Sequence, residues 1–227
     1  MRYARGFTAA IGGLCICAAT GLILVTGANF EPATAAEIEM SPISGDIEKP
    51  RHHFRLRNPA NLTPQEAAYV YDIIEDALAA GYKRSGHAAA QVYQGWRRYN
   101  TAPYLSVSHG NHYLNNYANS PAQAYGTFEE AGTMPVGAII AKDSFSITET
   151  RGIVLGPLFI MEKMSAGFNY VTHDWRFTQI LPDGTLLGET NGHGAERVEY
   201  CIPCHIAAEK HDYLFFVPQE YRIEQVK

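Results

Sequence analysis

The chain has 227 residues, 46% of them hydrophobic and 18% charged, a profile that excludes a disordered, collagenous or polytopic membrane protein. A formal net charge of −5 argues against nucleic acid as a partner, because neutralising several phosphates needs a basic surface. Four cysteines are too few for a disulfide scaffold at this length, so their positions carry the information.

Residues 1–36 begin with Arg2 and Arg5, continue in a mostly apolar run from Ala9 to Phe30, and end on small residues at Ala33 to Ala36. This is the plan of a secretory signal peptide cleaved near Ala35 or Ala36, and it predicts export to the periplasm. The competing reading is an uncleaved single-span anchor, since the run is marginal for a bilayer crossing. Cys15 and Cys17 leave with a cleaved signal, so the mature chain keeps Cys201 and Cys204.

Residues 37–62 lack periodicity and read as an extended leader. Residues 63–227 read as one domain with a helical extension at its start. Thr63, Pro64 and Glu66 form a capping box with proline at the first helical position. Ala67, Tyr71, Ile74 and Leu78 follow at helical spacing, and Gly81 predicts a stop. A shorter helix is expected over Ala88 to Arg98. Beyond Tyr99 the pattern changes to short apolar runs. Strands are predicted at His112–Asn119, Ala138–Phe145, Leu158–Met164, Asp174–Leu181, Thr185–Glu189 and Tyr213–Val217. Pro182-Asp183-Gly184 is a hairpin-turn signal between two of them. Strands do not alternate with long helices, which excludes a doubly wound parallel sheet. The expected fold is α+β: an antiparallel sheet core, N-terminal helices and a C-terminal c-type haem attachment segment.

That last segment is Cys201-Ile202-Pro203-Cys204-His205. Two thiols three positions apart can add across the two haem vinyl groups, and the adjacent imidazole can reach the iron. Cys201 and Cys204 are the expected thioether residues and His205 the expected proximal ligand, for one covalently attached haem c. Thiol–disulfide exchange favours a βαβ setting that the pattern lacks. Zinc needs more ligands than one thiol pair, and no other cysteine remains in the mature chain. All five methionines lie upstream of His205, unlike the small electron carriers in which a downstream methionine ligates. The stretch from Asn100 to Leu187 has no long amphipathic helices for a four-helix bundle.

The late Cys-x-x-Cys-His, the following Asp212-Tyr213-Leu214-Phe215-Phe216, and the preceding Asp174-Trp175-Arg176-Phe177 and Gly137-Ala138-Ile139-Ile140-Ala141-Lys142-Asp143 resemble the cytochrome P-460 family and its nitric-oxide-binding relatives, the cytochromes c prime-beta. The resemblance spans roughly His109 to Arg222. It implies a mainly antiparallel sheet, a single haem, commonly a homodimer, and oxidation of a small nitrogen compound such as hydroxylamine, with an external electron acceptor. It also implies a lysine amine joined to a haem meso carbon, and Lys142 fits that position. The alternative function is a nitric-oxide or other small-gas-binding haem protein without turnover.

The remaining candidates each carry a plainer reading. Glu162 is placed to accept protons from an iron-bound substrate, or is an exposed strand charge with Lys163. Arg176 suits a haem propionate, or is a surface arginine. Phe145, Phe159 and Met161 form either a distal wall or ordinary core. His109 and His112 are candidate sixth ligands, which would close the iron to substrate.

Overall fold

A computed structural model of the chain describes residues 29–32, 40–41, 49–56 and 58–223. The expected signal segment, with Cys15 and Cys17, lies outside the described residues apart from 29–32. No helix among the described residues is long and apolar enough to cross a membrane.

The elements in chain order are β1 (Glu31–Pro32), β2 (Met40–Ser41), β3 (Arg55–Leu56), α1 (Pro64–Lys83), α2 (Ala88–Val92), β4 (Arg97–Arg98), β5 (Tyr104–Ser106), β6 (His112–Ala118), β7 (Ile139–Ile147), β8 (Gly152–Leu155), β9 (Leu158–Lys163), β10 (Trp175–Ile180), β11 (Leu186–Glu189) and α3 (Cys201–Ile206). Nine of the strands make one sheet, antiparallel except where β1 runs beside β8, and β2 and β3 pair separately. The fold is therefore α+β on an antiparallel core.

β7 organises that sheet. Along one edge it pairs with β6 from Tyr113↔Phe145 to Ala118↔Ile140. Its other edge takes β9 over Ile139 to Lys142 and β8 over Phe145 to Ile147. β8 and β9 thus lie end to end, joined through Gly156, where an added Cβ would stand 2.3 Å from Ser144 Oγ.

Strand side chains alternate between faces, so parity sorts each residue. One face carries Ala141, Phe145, Leu158, Ile160 and Ile180 and packs with Ala67, Val70, Tyr71, Ile74 and Leu78 of α1. Asp143 points to this face and is fully buried. It accepts from Tyr71 OH at 2.6 Å, Tyr93 OH at 3.1 Å and Asn115 Nδ2 at 3.2 Å. Burial pushes its carboxyl up to about 6 in spite of these donors. The other face carries Ile140, Met161, Trp175 and Phe177, which pack with Tyr125, Tyr213, Leu214 and Val217.

The capping box at Thr63 forms as predicted: Glu66 N–H donates to Thr63 Oγ1 and Thr63 N–H to Glu66 Oε2. α1 does not stop at Gly81 but runs to Lys83, with Arg84 as its C-cap. Gly81 instead admits the turn at Pro182-Asp183-Gly184: an added Cβ would lie 2.1 Å from Pro182 O. Arg84 fastens the same turn, donating from Nε to Asp183 O and from Nη2 to Pro182 O. The second helix is only α2, five residues long, followed by a 3-10 turn at Tyr93–Gly95 and by β4.

Five of the predicted strands form. The sixth, Tyr213–Val217, is irregular because Asp212 and Tyr213 take φ of 54° and 66°, which turns the backbone toward α3. The short strands β1 to β5 and β8 are not among the predicted ones.

Gly81→Ala tests the turn docking. Helix propensity alone favours alanine by roughly 0.5–1 kcal/mol, whereas forcing the turn away costs about 1–3 kcal/mol. Urea denaturation is expected to show a net loss relative to Gly95→Ala, whose Cβ meets nothing within 4 Å. Equal stability of the two variants would contradict the packing.

Candidate haem site

In α3, Cys201, Cys204 and His205 are separated by three and four positions, which places all three on one helix face. His205 is buried, with its ring 5.0 Å from that of Phe177 and 5.3 Å from that of Phe215. Its Nδ1 lies 2.7 Å from Tyr213 O. A carbonyl can only accept, so Nδ1 carries the proton and Nε2 keeps the lone pair of a neutral imidazole. Burial, with Lys142 nearby, pushes the ring's pKa down to about 4, so the neutral form, the one that ligates metal, holds at neutral pH.

The segment that supplies this carbonyl is itself pinned. Trp175 Nε1 donates to Asp212 O at 2.7 Å. The Asp212 carboxylate receives Lys163 Nζ at 2.7 Å, Met134 N–H at 2.8 Å and His173 Nδ1 at 3.1 Å. Lys163 and Asp212 are both buried, so each is the other's required partner.

α3 borders a cleft of about 310 Å³ that His52, His53, Ser108 and His109 line together with Cys201, Cys204 and His205. A deeper cavity of about 30 Å³ shares His53, His109, Cys201 and His205 with it. That cavity reaches down to Lys142, Phe159, Met161, Phe177 and Gln179 on the sheet. Lys142 is 5% exposed, and burial alone pushes its amine down to about 8. Among the described residues its Nζ makes no hydrogen bond or ion pair. Gln179 adds a buried Nε2 donor without a protein partner.

Parity decides the remaining candidates. Phe159 and Met161 share the cleft face with Lys142, while Phe145 is core on the opposite face, stacked on Tyr113 at 5.4 Å. Glu162 and Arg176 also fall on the α1 side, out of the cleft. They are cross-strand partners and ion-pair with each other, and Arg176 Nη1 also reaches Glu189 at 3.4 Å. The proton-accepting role expected of Glu162 and the propionate role expected of Arg176 are therefore corrected: the pleat turns both side chains away. His112 shares a 2.7 Å hydrogen bond with Ser146 Oγ and does not line the cleft, whereas His109 does. His53 was missed. It belongs to the aperiodic leader, where a histidine gives no spacing signal.

The fit to haem rests on these groups. Two thiols and a pre-oriented imidazole share one helix face beside a cleft whose volume lies at the lower end of the ~300–1,000 Å³ typical of cofactor sites. The cleft has an apolar, aromatic floor and a buried donor still to be matched. Cys201 and Cys204 are free thiols, and burial pushes Cys201 up to about 12. A thiol-exchange site needs the opposite shift, since the thiolate is its nucleophile. Among the described residues no group of three or more His, Cys, Asp or Glu side chains is arranged to hold a bare metal ion.

Fold and site together define a haem-binding protein built on an antiparallel sheet. The family model for cytochrome P460 matches residues 90–216, and the chain belongs to the cytochrome P460 family. A search of curated proteins returned no match.

Asp212→Asn is expected to destabilise the protein by about 3–5 kcal/mol, the usual result of leaving one member of a buried ion pair alone. Chemical denaturation measures this directly. A loss below about 1 kcal/mol, the range of an exposed pair, would contradict the role given to Lys163–Asp212.

Proposed function

We propose that this chain is an exported mono-haem c-type cytochrome that oxidises a small nitrogen compound such as hydroxylamine at an iron with an open position. The observation that carries the reading is Lys142, a buried amine, its pKa pushed down to about 8 by burial, that lines the same cavity as Cys201 and His205. Cys201 and Cys204 would hold the haem through thioethers, each Sγ–H adding across a vinyl group without loss of atoms, and His205 Nε2 would ligate its iron. The haem, when bound, supplies the redox chemistry and the metal that receives the substrate nitrogen.

Lys142 Nζ would be the amine that joins a haem meso carbon. Burial shifts the amine toward the deprotonated form that a nucleophile must be. The new C–N bond replaces an N–H and a meso C–H, so the joining is a two-electron oxidation, for which a peroxide or dioxygen is the oxidant. Hydroxylamine oxidation releases more electrons than one haem stores, so an external acceptor is required. The signal-like residues 1–36 support a periplasmic location, and a homodimer accords with the family resemblance.

One observation favours the second reading, a haem protein that binds nitric oxide or another small gas without turnover. The floor of the cavity is apolar and aromatic, with Phe159, Met161 and Phe177, and among the described residues no carboxylate lines it.

The absorption spectrum and intact mass of the haem-loaded protein separate the two. Cross-linking predicts a red-shifted ferrous band and a mass two hydrogens below chain plus haem. Both are expected to revert to an ordinary c-type spectrum and the simple sum in Lys142→Ala. An ordinary spectrum in the unmodified protein, with no hydroxylamine turnover by any artificial oxidant, would leave ligand binding as the function.

A further inference from the structure

Glu162 lies on the α1 face, and the cleft away from α3 is lined by His52, His53, Ser108 and His109, of which His53 and His109 also line the deeper cavity. His53 and His109 stack with ring centroids 5.0 Å apart, and both pack against Phe159, at 4.8 and 5.1 Å. His205 packs instead against Phe177. Phe159 and Phe177 lie on the same sheet face on neighbouring strands, Phe159 opposite Gln179 and Phe177 opposite Met161. The imidazole of α3 and the histidine pair therefore stand over adjacent parts of one floor and line the same cleft.

Each ring of the pair is held through Nδ1. His109 Nδ1 is 2.9 Å from Ser106 Oγ and 3.3 Å from Ser108 Oγ. His53 Nδ1 is 3.0 Å from Tyr200 OH, whose proton goes to Gln179 Oε1 at 2.5 Å. Nε2 is the nitrogen left over on both. Gly110 makes the stacking possible: at φ 81° an added Cβ would fall 2.1 Å from Phe54 O, so only glycine lets the leader lie close enough to set His53 on His109. His53 lies outside the residues matched by the family model.

We propose that His109 Nε2 hydrogen-bonds the small ligand bound on the side of the haem away from His205, and that His53 is a positioning residue that keeps the His109 ring in place. This rests on the haem reading above. A serine hydroxyl can donate to Nδ1, which makes Nε2–H the donor, and a neutral donor suits a bound nitrogen or oxygen atom that gains negative charge.

The test uses carbon monoxide on the reduced, haem-loaded protein. Donation from His109 predicts that the C–O stretching band shifts to higher frequency and that CO leaves faster in His109→Leu. His109→Gln, which keeps a donor, should fall between. His53→Ala should split or broaden the band as the ring loses its support. An unchanged band in His109→Leu would overturn the assignment while leaving the haem reading intact. A low-spin, six-coordinate iron that turns high-spin in His109→Leu would place the imidazole on the metal and overturn both the hydrogen bond and the open position. Protein without attached haem would refute the underlying reading instead.

Discussion

The hydrogen bond from His205 Nδ1–H to Tyr213 O is the constraint on which the site depends. It fixes the tautomer, and through the tautomer it decides which nitrogen can meet a metal. Keeping the carbonyl there requires Asp212 and Tyr213 to adopt left-handed backbone, a conformation that costs free energy for residues with a Cβ. Trp175 and the Lys163–Asp212 pair hold that geometry. A network that reaches from the segment after α3 back to β9 and β10 therefore orients one imidazole.

Strand parity does the rest. On β7, Lys142 and Asp143 are neighbours with opposite fates. The lysine enters the cavity beneath α3, and the carboxylate goes to Tyr71, Tyr93 and Asn115 under α1. Each buried charge is tuned by the face it meets: burial alone lowers the amine, and burial raises the carboxyl against its hydrogen-bond donors. The same alternation removes Glu162 and Arg176 from the site and brings in Phe159, Met161 and Gln179. One fold thus separates a packing face, braced by tyrosines, from a face that carries the cavity beneath α3.

Much of this was legible in the residues. The capping box gave the start of α1, and the Cys-x-x-Cys-His spacing gave the helix face shared by the two thiols and the imidazole, because both are local signals. Lys142 was singled out by a resemblance, and the structure buries it in the cavity beneath α3. What local signals could not give was decided by contacts distant in sequence. Gly81 looked like a helix stop but is a docking point for a turn a hundred residues away. The apolar run Tyr213–Val217 has strand composition, yet its first residues turn toward α3 to serve His205. The faces of Glu162 and Arg176 needed the register of the whole sheet. His53, in a leader without periodicity, became visible only once Gly110 and Tyr200 were seen to hold it.

The central claim is that α3 carries a covalently bound haem through Cys201 and Cys204 with His205 on its iron. Haem staining of the matured protein on a denaturing gel tests it most directly, since thioether bonds survive unfolding and a ligated but unbonded haem does not. The account predicts a stained band at the mass of the chain, lost in the Cys201→Ala/Cys204→Ala double variant. A colourless band from correctly matured protein would contradict it.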